Sequence, residues 1–176
     1  IQAKKEFFAS AESVDNGKPL SMALNSDIAR SILNFQFFAD TITQFSTSAH
    51  SMNLPDGEAI NYTLKKPLGV VGCISPWNLP LLLLSWKIAA ALAAGNTVVA
   101  KPSEVTPMTA FLLSQVCIEA GLPAGVLNIV HGTGAQAGQA LTTHHDVKAI
   151  SFTGSTQTGS EVAMVAAKRF KKISLE

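Results

Sequence analysis

Two periodicities run along the chain, and one replaces the other near Pro67. In the first third, apolar residues recur at helical steps. Phe7, Ala11 and Val14 stand four and three apart, which predicts an amphipathic helix over residues 1–15 with that face buried. The run "DNGKP" at 15–19 ends it, because Gly17 suits a left-handed cap and Pro19 cannot continue a helix. Ile28, Ile32, Phe35, Phe38, Ile42 and Phe45 then recur at steps of four, three, three, four and three. They predict a second helix with one core-facing stripe, capped by Ser26 or Asp27. Beyond the turn residues 53–57, Ile60, Tyr62 and Leu64 alternate with Asn61, Thr63 and Lys65. Period two predicts a strand with one wet face, read as an edge strand that pairs outside its own segment.

From Pro67 the strands lose their polar face. "LGVVGCIS" is continuously apolar, and a helix over 81–94 follows it, closed by Gly95. The strand "NTVVAK" and a helix over 107–120 come next, closed by Gly121. Then come "GVLNIVH", a short helix over 135–142, "VKAISFTG", a helix over 155–168 and "KKISLE". Strands apolar on both faces, alternating with helices, predict an α/β fold with a doubly wound parallel sheet. Three regions are expected: a helical part at 1–51, a strand region at 52–66 and the α/β domain at 67–176. On such a sheet ligands sit at the carboxyl ends of the strands. The polar interruptions fall at those ends: Ser75 to Asn78, Lys101 to Glu104, His131 to Gly134, Phe152 to Ser155, and Glu176.

Charge narrows the functions little. Thirteen basic residues stand against twelve acidic, a formal charge of +1, which gives no electrostatic case for nucleic acid. The two cysteines, Cys73 and Cys117, lie in apolar runs. They suggest neither a disulfide framework nor a metal cluster, and fit a reducing, cytoplasmic compartment. The apolar run 79–94 contains Lys87 and falls short of the roughly 20 residues of a membrane span, so a buried helix is expected. The chain opens on Ile1 within a helical pattern and closes on Glu176 after a strand-like run. Both ends read as cut, and the 176 residues as part of a longer protein.

Individual motifs differ in weight. In "ISPWNLP" an asparagine stands between Trp77 and Leu79, flanked by Pro76 and Pro80. Burying its amide without partners would cost roughly 1–3 kcal/mol. "AKPSE" puts Lys101 directly after a buried strand with Glu104 three residues on. An ammonium and a carboxylate there can bond sugar hydroxyls, or form a plain ion pair. "FTGS" before a helix offers N–H groups to an anion, or simply caps the helix. "GTGAQAG" is one residue too long for a dinucleotide fingerprint and is equally a tight turn. His131, His144 and His145 lack the spacing of metal ligands. Lys168, Arg169, Lys171 and Lys172 read as a solvated face.

Together, "SPWNLPL", "AGNTVVAKPSE", "GLPAGVLNIVHGTG", "SFTGST" and "ISLE" occur in family order, and the chain resembles the aldehyde dehydrogenase superfamily. The resemblance covers most of the chain and is most specific over 67–176. It implies a variant Rossmann domain, here truncated, that binds NAD. Asn78 would be the oxyanion donor and Glu176 the group that activates water. Lys101 and Glu104 would hold the adenosine ribose, with the carboxylate of Glu104 favouring NAD over NADP. Gly134 and Gly138 match the cofactor-side glycines, Gly154 and Ser155 the pyrophosphate turn, and Trp77 the aromatic lining. Ser75, Ser103 and Phe152 complete the expected cofactor set, with no metal. Residues 52–66 would belong to the oligomerisation arm of a homodimer or homotetramer.

The family motif continues past Glu176 with Leu-Gly-Gly, and its nucleophilic cysteine lies further on. Cys73 and Cys117 do not stand at that position. The implied activity is NAD-dependent oxidation of an aldehyde to a carboxylic acid through a cysteine thioester. Within the family the sequence looks most like the branch acting on aminomuconic or hydroxymuconic semialdehyde. The isolated segment is expected to be inactive. The competing expectation is a non-catalytic nucleotide-binding or structural protein on the same scaffold.

Overall fold

A computed structural model describes residues 1–176. The chain enters through α1 (Lys5–Asn16), which ends as expected at Gly17, with φ +82° and its N–H on the Ser13 carbonyl. The buried face of α1 is a correction. Phe8, Ala9 and Glu12 face inward, while Phe7 is 58% and Val14 87% exposed. Periodicity chose the wrong face because the true one carries Glu12, a carboxylate with partners waiting inside. The second correction concerns Asp27. The chain is helical without a break through α2 (Leu20–Met22), a π-turn (Ala23–Asp27) and α3 (Ile28–Thr43). Asp27 therefore lies inside the helix, and its carboxylate receives the Lys18 ammonium instead of capping a helix end.

A hairpin follows: β1 (Ala49–Leu54) pairs antiparallel with β2 (Gly57–Tyr62) across Pro55-Asp56. One strand with an outside partner was expected here. Instead two strands pair with each other, and only Ala59 is half-buried. The polar residues His50, Ser51 and Asn53 hide β1 from a search for alternation.

The remaining strands, β3 (Val70–Ile74), β4 (Thr97–Lys101), β5 (Leu127–Ile129), β6 (Val147–Phe152) and β7 (Lys172–Leu175), form one parallel sheet. Its order is β5-β4-β3-β6-β7, so the direction of winding reverses between β3 and β6. The crossovers run through α4 (Pro80–Ala93), α5 (Met108–Glu119), a π-turn with α6 (Gln139–Thr143), and α7 (Thr156–Ala167). Alternate residues of β3 feed two cores. Val71 and Cys73 meet Leu81, Leu84, Ile88, Leu113 and the N-terminal Phe8, Ala23 and Ile28 on one face. Ile74 meets Leu141, Ile150, Phe152 and Val162 on the other. Each fully buried aliphatic or aromatic side chain contributes about 1.5–3 kcal/mol.

Because α4 is covered by the sheet and by the N-terminal helices, it is apolar almost all round. No helix is long and apolar enough to cross a membrane. Gly72 sets the spacing on the second face, since a Cβ there would come within 2.7 Å of Ile150 Cδ1 and 3.1 Å of Leu141 Cγ. The predicted doubly wound parallel sheet is thus present, with its switch point between β3 and β6.

Candidate cofactor and carboxamide site

At the carboxyl end of β4, the sequence turns polar while the chain is still inside the protein. Lys101 is buried, and its ammonium donates to the Pro102 carbonyl at 3.0 Å and to Glu104 Oε2 at 2.9 Å. The other Glu104 oxygen accepts from the Gly134 N–H at 3.4 Å. The Lys101 hydrogen bond, helped by the residue's own backbone N–H, holds the Glu104 carboxyl below its ordinary pKa. Glu104 is half-exposed and ionised, with lone pairs to spare, and Lys101 has a third N–H. Beside them a cavity of about 420 Å³ opens between α6 and α7, lined by Ile74, Lys101, Gly134, Gly138, Phe152 and Val162 among others. Its size falls within the range of small-molecule sites. Gly138 packs near the alkyl stem of Lys101, so "GTGAQAG" serves as the wall of this cavity.

On the far side of Phe152, a shallower groove of about 290 Å³ is lined by Gly154, Ser155, Leu175 and Glu176. Ser155 is the N-cap of α7: its hydroxyl accepts from the Thr158 N–H at 3.2 Å. That leaves the first-turn N–H groups of Thr156 and Gln157 without partners in the helix, at its positive end. Glu176 accepts from the Thr153 hydroxyl at 3.1 Å and, through its carbonyl, from the Gly154 N–H at 3.3 Å. A Cβ on Gly154 would come within 2.5 Å of the Phe152 ring, so the turn that presents these groups needs glycine or a displaced ring.

The loop after β3 forms the third part. Asn78 is exposed, not buried among its apolar neighbours. Its Oδ1 accepts from the Leu79 N–H at 3.1 Å, and its NH₂ is free to donate outward. Trp77 is 59% exposed, and neither residue lines either cavity. Ser75 is buried with an unpartnered hydroxyl, next to Lys101 through its own N–H on the Lys101 carbonyl at 3.2 Å. Ser103 lies apart from both cavities, its hydroxyl turned to the Val105 N–H at 3.4 Å.

Sequence reasoning missed Lys87. It is buried in α4, with its ammonium 3.3 Å from the Ser151 hydroxyl. Burial pushes its pKa down, while the charges of Glu176 and Cys73 pull it back up. The signal in the sequence is a single lysine within an apolar helix. Burial pushes the Cys73 thiol up to about 12 and raises Cys117 as well, so neither offers a thiolate near neutrality. His144, His145 and Asp146 cluster on an exposed loop. The ammoniums of Lys171 and Lys148 bind carbonyls of that loop and oppose a cation.

A model of the aldehyde dehydrogenase family matches residues 1–176. The chain belongs to that family. It is 52% identical to a 2-aminomuconic 6-semialdehyde dehydrogenase of Pseudomonas sp, over all of this chain and 36% of the relative. It is 53% identical to a 2-hydroxymuconic semialdehyde dehydrogenase of Pseudomonas sp. strain CF600, over all of this chain and 37% of the relative. Among solved structures, an aldehyde dehydrogenase from Bacillus cereus in complex with NAD+ superposes with a TM-score of 0.93 at 41% identity. That match covers 99% of this chain and 35% of the other. The chain therefore spans about a third of the length of these dehydrogenases.

Proposed function

We propose that this chain is the cofactor-binding part of an NAD-dependent aldehyde dehydrogenase. Its substrate would be a small semialdehyde of the aminomuconic or hydroxymuconic type, oxidised to the acid through a cysteine thioester. The observation that carries the reading is the cavity at the switch point, where Lys101, Gly134, Gly138 and Phe152 line one space and Glu104 is tied to its edge. The open side of Gly134 and the spare donor capacity of Lys101 fit a polar ligand there. NAD, when bound, supplies a hydride acceptor.

Lys101 and Glu104 bind the ribose hydroxyls, and the ionised Glu104 repels a 2′-phosphate. The turn Gly154-Ser155 and the start of α7 take the pyrophosphate. Asn78 donates its free NH₂ to the oxygen that becomes negative when the aldehyde is attacked. Glu176 acts as the base that activates water for release of the acid. Lys87 lies close enough to Glu176 for the carboxylate to offset part of the effect of burial on its ammonium. Because the thiols of Cys73 and Cys117 are buried or half-buried and their pKa values raised, we assign the nucleophile to neither. On that ground the 176 residues alone are expected not to turn over aldehyde.

The exposed Met52, Leu54, Ile60 and Tyr62 of the hairpin are surface for a second subunit in a homodimer or homotetramer. Two free cysteines suit the cytoplasm. The similarity to 2-aminomuconic and 2-hydroxymuconic semialdehyde dehydrogenases supports the substrate class. The test is NADH formation by the full-length protein across a panel of aldehydes that includes muconic semialdehydes. Turnover with NAD supports the reading. NAD binding without turnover on any aldehyde replaces it with a non-catalytic nucleotide-binding protein.

A further inference from the structure

A donor meant for a developing oxyanion must be held within about 0.5 Å of its working position. Asn78 sits on an exposed loop, and its side chain bonds only the next residue's N–H. The loop's outside supports come from far along the chain. The Lys18 ammonium donates to the Asn78 carbonyl at 3.1 Å, and the Asn16 carboxamide donates to the Trp77 carbonyl at 2.7 Å, where the Thr106 hydroxyl adds a longer bond at 3.5 Å. The shortest bonds to two successive carbonyls of the loop thus come from two side chains that straddle the left-handed turn at Gly17.

Lys18 is in turn held from behind. Its side chain is 7% exposed, it bonds the buried Asp27 carboxylate, and Glu12 Oε1 lies 3.8 Å away. Glu12 Oε2 accepts from the buried Thr109 hydroxyl at 2.7 Å, and Oε1 has no hydrogen-bond partner. An apolar cluster of the same volume would stabilise the fold at least as well as buried charges do. What the charges add is direction: one ammonium has one geometry between Asp27, Glu12 and the Asn78 carbonyl.

We propose that Lys18, oriented by Asp27 and Glu12, is a positioning residue that fixes the Asn78 carboxamide for attack on the aldehyde, with Asn16 as its companion at Trp77. Lys18 reaches only the backbone of Asn78, so it acts through that residue and not on the substrate. The inference rests on the aldehyde oxidation proposed above.

The test is a double-mutant cycle in the full-length protein between Asn78→Ala and the charge-balanced pair Lys18→Met with Asp27→Asn. In the wild-type background the pair should lower the acylation rate by about 10- to 100-fold, with the KM for NAD changed by less than about threefold. In the Asn78→Ala background the same pair should cost less than about twofold, because the group it positions is gone. Equal losses in both backgrounds, or no loss in either, overturn the proposal. Asn16→Ala leaves the buried charges intact, and should lower the acylation rate with the same dependence on Asn78 if the paired variant does not fold. If the wild-type protein oxidises no aldehyde, the proposed reaction fails, and positioning is read from the Asn78 side-chain NH₂ signals in nitrogen–proton NMR. Displacement or broadening of those signals in a folded Lys18 or Asn16 variant supports positioning, and unchanged signals overturn it.

Discussion

The two ends of the candidate site are built in opposite ways. The end proposed for the ribose is local. Lys101 and Glu104 are three residues apart, joined at 2.9 Å, and the nearest outside support is the Gly134 N–H. The carboxamide end is assembled across the chain: Lys18 and Asn16 reach 60 and 61 positions forward to hold Asn78 and Trp77. A local pair organises itself whenever its strand forms, whereas a long-range grip exists only when the N-terminal helices are docked. Damage to the first should therefore appear as lost cofactor affinity. Damage to the second should appear as lost rate with affinity preserved.

The largest effect should come from removing the donor itself. Asn78→Ala should lower the acylation rate of the full-length protein by roughly 10²–10³, measured by rapid mixing, with little change in thermal midpoint because the residue is exposed. A large fall in midpoint at unchanged turnover would make it a structural residue. Next comes the ribose end. Glu104→Gln should weaken NAD about tenfold, the order expected for losing a charged hydrogen bond, and narrow the preference over NADP. Titration calorimetry with both cofactors checks this, and equal, unchanged affinities would remove Glu104 from the ribose. Ser155→Ala should cost about 1 kcal/mol of stability by uncapping α7, read by urea unfolding.

The smallest effect is a pH dependence in the buried charge cluster. Burial raises the Glu12 pKa above the ordinary 4.5, so the folded chain holds this proton more tightly than the unfolded chain does. A carboxyl of this kind costs nothing below pH 4.5, and removes stability as pH rises from there through its raised folded pKa. Glu12→Gln should therefore gain on the wild type across that window and hold a constant lead above it. A lead that grows as pH falls would reverse the sign and contradict a buried, strained carboxyl.

Legibility in the sequence followed the same division. The strands and crossover helices beyond Pro67 could be read because burial on both faces leaves unbroken apolar runs and glycine stops, such as Gly95 at φ +79°. Polar side chains at the ends of such strands stand out, and of those singled out Lys101 and Gly134 line the larger cavity and Ser155 and Glu176 the smaller, while Trp77, Asn78 and Ser103 line neither. The N-terminal helix could be located but not oriented, since its inward face carries Glu12 and its outward face Phe7 and Val14. Asp27 looked like a cap because an acid before an apolar stripe usually is one, and only the fold brings Lys18 to it. "DNGKP" carries a local stop signal in its sequence, while the reach of Asn16 and Lys18 to a loop some sixty residues on exists only in the fold. Lys87 was visible as an anomaly, but its nearness to Ser151 depends on β6 lying beside β3.

NAD is proposed to bind at the carboxyl rim of the sheet, at the switch between β3 and β6. A crystal structure of the protein with NAD tests it most directly. The account predicts the adenosine ribose against Lys101 and Glu104, the pyrophosphate at Gly154 and Ser155, and the nicotinamide end directed toward Asn78 and Glu176. Density for NAD elsewhere on the protein, or none at saturating concentration, would contradict it.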